Sequence, residues 1–227
     1  MTKAKENKEK SKSSWKQNPE RVKQDILRAA MSEFAKSGLS GAKIDDIAAK
    51  TETSKRMIYY YFDDKEGLYR HALEAAYAKV RKGEVNLDLA DYAPTEGLAR
   101  LVAFTFDHHR RNPDFIRMVM IENIHHAAHM RSSQVIRDLN LGAINQLRAL
   151  IARGEASGDF RRGIDPVALH WQISAMSFFN VSNQPTFSAI FGKDLYSNDG
   201  QAALRDRAVA MILADVRATS EDQDDQS

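Results

Sequence analysis

Two groups of side chains have types and spacings that could do chemistry. In the run Ser54-Lys55-Arg56-Met57-Ile58-Tyr59-Tyr60-Tyr61-Phe62, a helical advance of about 100° per residue points Ile58 and Phe62 one way and Arg56, Met57 and Tyr60 the other. A guanidinium can donate two parallel bonds to the guanine edge in a major groove, whereas ammonium and phenol groups suit phosphate oxygens. With Lys55 beside it, the outward face has the composition of a DNA-reading helix. A plainer reading takes the tyrosine run as an aromatic core strand or helix; the capping and basic residues and the flanking helices argue against it. The second group is Glu122, Asn123, His125, His126 and His129, set among Met118, Met120, Ile121 and Ile124. His125 and His129 are one helical turn apart, with Glu122 a turn before His125, which opens an alternative: a metal-dependent enzyme or metal sensor centred on Glu122, His125, His126 and His129. The spacing is looser than the compact zinc-protease motif, and simple exposure accounts for the histidines equally well. No metal, cofactor or catalytic residue is expected, because there is no nucleophile constellation, glycine-rich phosphate loop or paired-carboxylate signature.

A reading helix of barely two turns is unstable alone and must be held by neighbouring helices. The sequence supplies them. Spacings of three and four recur and period-two alternation is scarce, so the fold is expected to be all-α. Asn18-Pro19 offers a cap and a first-turn proline, after which Val22, Ile26, Ala29, Ala30 and Phe34 share one face until Gly38 ends the helix. Short helices are expected over 44 to about 51 and 54–62, then a long one from Lys65 through Leu68, Leu73, Ala76 and Val80. Further helices are read at about 95–111, 114–129, 132–157, 165–181 and 201–218, giving about nine. Residues 182–199 are ambiguous, since Asn183-Gln184-Pro185 breaks the pattern and 187–191 reads as no more than a helical turn.

The chain has 227 residues, 43% hydrophobic and 28% charged, which suits a globular protein. No run approaches the roughly 18 apolar residues that span a bilayer, and residues 1–16 lack the apolar core of a secretory signal, so a cytoplasmic protein with no membrane partner is expected. With no cysteine, the sequence offers no disulfide framework, thiol catalysis or Cys-ligated zinc. The net charge of +2 is unevenly spread: residues 1–82 hold 19 Lys and Arg against 12 Asp and Glu, and the rest 14 against 19. A basic first third suggests a polyanionic partner, although a Lys-rich tail can also serve solubility alone. The expected organisation is a disordered basic arm (1–18), a helix-turn-helix domain (19–64), a helical ligand-binding and dimerisation domain (65–218) and a disordered acidic tail (219–227).

The order Ile47-Ala48, Ser54-Lys55, Tyr59-Tyr60-Tyr61-Phe62 and Lys65-Glu66-Gly67-Leu68-Tyr69 resembles the amino-terminal signature of the TetR family of bacterial regulators. The resemblance is close over residues 20–70 and elsewhere rests on helix number and spacing. It implies a homodimeric repressor that binds a pseudo-palindromic double-stranded DNA operator and is released by a small-molecule effector, the last two helices pairing with a second copy. It also implies DNA-backbone contacts from Lys43, Ser54, Tyr59, Tyr61 and Lys65, and base contacts from Lys55, Arg56 and Tyr60. Two departures stand out. Glu52 replaces the usual turn glycine, where a positive φ is awkward, and Lys43 replaces the usual Ser or Thr cap of the second helix, leaving that cap absent or supplied by Ser40.

The later helices are expected to enclose the effector. Trp171, Ser174 and Phe178 share one helical face, Phe104 and His108 lie on another helix, and Glu122, Asn123 and His126 add polar groups, together giving apolar walls with a few polar contacts. Plain core packing is the competing reading of Trp171 and Phe178. Glu122-Asn123-Ile124-His125-His126 and Phe178-Phe179-Asn180-Val181-Ser182-Asn183, with the 54–62 run, are similar to a branch that includes repressors of nicotinate degradation. That similarity implies an aromatic or N-heteroaromatic acid as effector.

Overall fold

A computed structural model describes residues 18–218; the expected arm, apart from Asn18, and the expected tail lie outside the described residues. Among the described residues the chain forms ten α-helices and three short 3-10 turns, with no strand beyond an isolated bridge between Phe160 and Arg217. The helices are α1 (Pro19–Gly41), α2 (Ile44–Ala49), α3 (Lys55–Phe62), α4 (Lys65–Val85), α5 (Pro94–Arg111), α6 (Pro113–Ile124), α7 (Gln134–Ser157), α8 (Pro166–Ser182), α9 (Gln184–Phe191) and α10 (Asn198–Val216). None is long and apolar enough to cross a membrane. The described residues divide into two compact units, one of residues 18–76 and 117–133, the other of residues 77–116 and 134–218. The first unit thus takes in residues 65–76 and 117–133 together with the helix-turn-helix.

In the first unit, the Asn18 carboxamide accepts from the Arg21 N–H at 3.0 Å and Pro19 occupies the first turn, which starts α1 as its sequence requires. Gly38, at φ 67°, interrupts the helix because the left-handed region costs glycine nothing. Lys43 precedes α2 without any side-chain cap, and Ser40 does not supply one. The α2–α3 turn needs no positive φ at Glu52, the expected point of strain, because the Thr51 N–H and hydroxyl both return to the Ala48 carbonyl. Ile26, Phe34, Ile44, Ile47, Ile58, Phe62, Leu68 and Tyr69 are among the buried side chains of this unit's helices, with Phe34 and Tyr69 meeting edge to face at 5.0 Å.

In the second unit α5 packs on α7, α8 and α10. Its core includes Leu98, Val102, Phe106, Leu147, Ile151, Phe160, Leu169, Ile173 and Ile212. Inside it a buried amide pair joins α8 to α10: Asn180 donates to Gln201 at 2.8 Å, and Gln201 donates back at 3.1 Å. The Arg153 guanidinium donates to the carbonyls of Leu89, Ala90 and Tyr92, fixing the segment that leads into α5.

Two elements depart from the periodicity. One helix more than expected, α9, forms where Asn183-Gln184-Pro185 reads as a break, because a proline in the first turn of a helix has no N–H bond to lose. Conversely, α6 stops at Ile124 and does not reach His129; His126 and Ala127 take φ of 56° and 58°, and Glu122 captures the N–H groups that follow.

The start of α4 sets a strict steric condition. Asp64 accepts from the Gly67 N–H at 2.6 Å, and a Cβ at Gly67 would lie 2.3 Å from the Phe62 carbonyl oxygen, so the end of α3 and the first turn of α4 meet only around glycine. Gly67→Ala is expected to lower stability by about 1–3 kcal/mol through this overlap. Gly142→Ala, in a helix with nothing within 4 Å, is expected to raise it by about 0.5–1 kcal/mol. Urea unfolding of the two variants checks the contrast, which a neutral Gly67→Ala would remove.

Candidate functional site

The reading face is built on α3. The Ser54 hydroxyl caps it by accepting from the Met57 N–H at 3.4 Å, and Ile58 and Phe62 anchor it through complete or near-complete burial. That orientation leaves Arg56 exposed and Tyr60 74% exposed, with Tyr59 at the margin of exposure. Tyr61 is half-buried; the Lys23 ammonium lies 5.6 Å from its ring centroid, and the Tyr60 ring meets it edge to face at 5.3 Å. Lys43 is exposed just before α2. Two lysines are engaged within the chain. Lys55 donates to the Asp45 carboxylate at 2.9 Å, which raises its pKa, and Lys65 donates to the carbonyls of Ser40 and Ala42 at 3.4 and 3.2 Å. The eight residues expected at the DNA therefore fall on α3, at the caps that precede α2 and α3, and at the start of α4 within one unit, and Asp45 is the partner that sequence reasoning missed. Its signal was present: an acid in the first turn of α2, ten residues before a lysine at the start of α3.

The group around Glu122 is organised differently. Glu122 is 1% exposed, and its carboxylate accepts from the backbone N–H groups of His129 and Met130, both at 3.1 Å, and meets the His129 ring Nδ1 at 2.9 Å. The carboxylate thus holds its own following loop. Asn123, His125 and His126 are exposed. Among the described residues no three His, Cys, Asp or Glu side chains converge to hold a metal ion, so the alternative of a metal enzyme or sensor has no geometric support. Its premise was a helix running on to His129, and the chain turns away after Ile124. The buried Tyr69 hydroxyl lies near the same carboxylate without forming a hydrogen bond of its own, and burial together with Glu122 drives its pKa upward.

In the second unit a cleft of about 480 Å³ is lined by Arg81, Glu84, Val85, Val135, Leu139 and Gln146 among others. Glu84, Ala143 and Gln146 also border an inner void of about 10 Å³ that Thr105 and His170 help to line. Arg81 donates to Glu84 at 2.7 Å and to Asn140 at 3.2 Å, while its Nε–H is buried with no partner. Burial pushes the Glu84 carboxyl up, and Arg81 only partly offsets this. The residues expected to bind the effector do not line this cleft. Phe104 packs over Gly83 and lies 5.4 Å from the His108 ring, Ser174 is 3.5 Å from the His170 ring, Phe178 is half-buried and Trp171 is 70% exposed. Glu122, Asn123 and His126 belong to the first unit. Arg81 and Glu84, three residues apart near the end of α4, were read only as part of a long helix. A second, strongly apolar cleft of about 460 Å³ lies among Phe106, Met176, Phe179, Phe187, Leu195 and Met211.

Residues 26–72 match the sequence profile described as bacterial regulatory proteins, tetR family, and residues 94–212 match that of the tetracyclin repressor-like C-terminal domain. The chain belongs to the TetR family. Among relatives of this TetR-family protein, the HTH-type transcriptional repressor NicS of Pseudomonas putida is 37% identical over 188 residues, spanning 82% of this chain and 88% of NicS. Two solved structures share the fold. The transcriptional regulator SCO4942 of Streptomyces coelicolor has a TM-score of 0.62 and 26% identity, covering 84% of this chain and 96% of that one. A tetR-family regulatory protein from Rhodococcus RHA1 has a TM-score of 0.67 and 22% identity, covering 88% and 98% respectively.

The second unit of this TetR-family chain holds three histidines, His108, His109 and His170, whose protonation burial opposes. Burial, with the charge of Arg81 adding to it, pushes His108, His109 and His170 down to about 4. The unfolded chain protonates these rings near pH 6.5, so it binds more protons than the folded chain between about pH 6.5 and pH 4. Stability contributed by keeping them neutral is full above about pH 6.5 and is lost as pH falls toward 4. The urea midpoint is expected to be lower at pH 5 than at pH 7, and His109→Gln is expected to flatten that dependence. An unchanged slope in the variant would mean that His109 titrates as a solvated imidazole.

Proposed function

We propose that this TetR-family chain is a sequence-specific, DNA-binding transcriptional repressor, working as a homodimer and released from its operator by a small-molecule effector. The observation that carries the reading is α3: a two-turn helix whose buried Ile58 and Phe62 leave an exposed guanidinium and phenol pointing outward. Arg56 and Tyr60 read bases, Lys55 beside them being held by Asp45, while Lys43, Ser54, Tyr59, Tyr61 and Lys65 approach the phosphates. Two copies present their α3 helices about 34–36 Å apart to a pseudo-palindromic site. The exposed apolar side chains Phe179 and Met211, which line the second cleft, and Ile190 and Phe191 of α9 support pairing of the second unit with its copy. The Arg81–Glu84 cleft supports an effector with an apolar body and polar edge groups, and resemblance to repressors of nicotinate degradation favours an aromatic or N-heteroaromatic acid. The protein acts in the cytoplasm, as a regulator and not as an enzyme.

The test is fluorescence anisotropy of the purified protein on duplex DNA flanking its own gene, with random-sequence duplex as competitor. Tight binding that survives the competitor is expected. Arg56→Ala is expected to weaken binding to the preferred duplex by about tenfold or more and to weaken random-duplex binding less, whereas Lys43→Ala weakens both alike. Equal losses for the two variants on the two duplexes would overturn the assignment of Arg56 to base reading.

A further inference from the structure

The cations around the reading helix are not equally available. Lys55, the first residue of α3, is paired with Asp45 of α2 at 2.9 Å, and Lys50 is paired with Glu33 at 2.7 Å. Lys65 is tied to two backbone carbonyls. Arg56 and Lys43 have no ion pair among the described residues. The Lys55–Asp45 contact joins residues ten apart across the helix-turn-helix, so it arises from the packing of α2 on α3 and not from a single helix. Both side chains reach solvent, at 48% and 70% exposure, where DNA phosphates would compete with Asp45 for the same ammonium.

Sequence-independent affinity for DNA grows with each Lys or Arg free to displace a counterion from a phosphate. A lysine already neutralised by a carboxylate adds little, because freeing it sacrifices the pair and leaves an anion facing the polyanion. We propose that Asp45 is a specificity-determining residue: it withholds Lys55 from the phosphates of any duplex, so that discrimination between sequences falls to the unpaired Arg56. The inference rests on α3 being the DNA-contacting helix, as proposed above. Asp45 touches no base in this scheme; it works by subtraction, lowering affinity for the wrong DNA more than for the right one.

The experiment is a salt titration of binding by the full-length protein, on random-sequence duplex and on duplex flanking its own gene. It compares the unmodified chain, Asp45→Asn, Lys55→Gln and the double variant. Asp45→Asn is expected to tighten random-duplex binding by about two- to tenfold. It is also expected to steepen the dependence of log K on log salt by about 0.9, the increment for one added phosphate contact, and to narrow the ratio between the two duplexes. Adding Lys55→Gln is expected to abolish the gain, while Lys55→Gln alone leaves the random-duplex slope unchanged. An unaltered slope in Asp45→Asn overturns the proposal, and so does a gain that persists in the double variant, since Asp45 would then act only through its own charge. Arg56→Ala, run alongside, separates the two levels. If it still weakens the flanking duplex selectively while Asp45→Asn does nothing, only the role of Asp45 falls; if it also has no effect, the reading of α3 falls. Both substituted side chains are exposed, and matching thermal unfolding curves confirm that the comparison is between folded proteins.

Discussion

An eight-residue helix cannot persist in water on its own hydrogen bonds, since nucleation consumes what so few bonds return. The reading helix exists here because Ile58 and Phe62 are buried, and that burial fixes its rotation as well as its existence. Everything outward follows from it. With those two side chains inside, Arg56 and Tyr60 must point out, and Lys55 must sit within reach of α2. The ends are held with equal economy: Ser54 caps the start, and at the finish Asp63, at φ 63°, turns the chain so that Asp64 can cap α4 where Gly67 admits the Phe62 carbonyl.

The second unit obeys a different constraint. Its core is apolar, yet it contains Arg81, Glu84, His109, His170, Asn180 and Gln201 among its buried or partly buried groups. Polar groups in such a place destabilise unless each finds a partner. The amide pair of Asn180 and Gln201 is reciprocally satisfied and so belongs to the architecture. Arg81 and His109 each keep one buried nitrogen without a hydrogen bond. Arg81 lines the first cleft of this unit, whereas His109 lines neither cleft.

The sequence made the helix-turn-helix legible because local rules and tertiary packing agree there. Asn18-Pro19, Gly38, Ser54 and the Ile58/Phe62 stripe each specify the element that forms. The candidate ligand site was less legible for a physical reason. Charged residues of α4 such as Arg81 and Glu84 look like a solvated face until the helices around them are placed, and aromatic residues such as Trp171 look like pocket walls until their exposure is known. Periodicity also overran at Ile124, since nothing local announces that a carboxylate two residues earlier will take the next free N–H groups. At Pro185 the error had the opposite sign: a residue that ends helices in the middle begins one in the first turn.

The loop after α6 holds two consecutive residues with side chains, His126 and Ala127, in the left-handed region. Each such residue costs about 1–2 kcal/mol of torsional energy relative to its preferred basin. Backbone bonds hold the turn itself, the Ala127 N–H donating to the Glu122 carbonyl at 2.7 Å, and the Glu122 carboxylate holds the backbone just beyond. The loop therefore carries torsional energy against the contacts that hold it, and whatever draws the Glu122 carboxylate away also loosens the backbone at His129 and Met130.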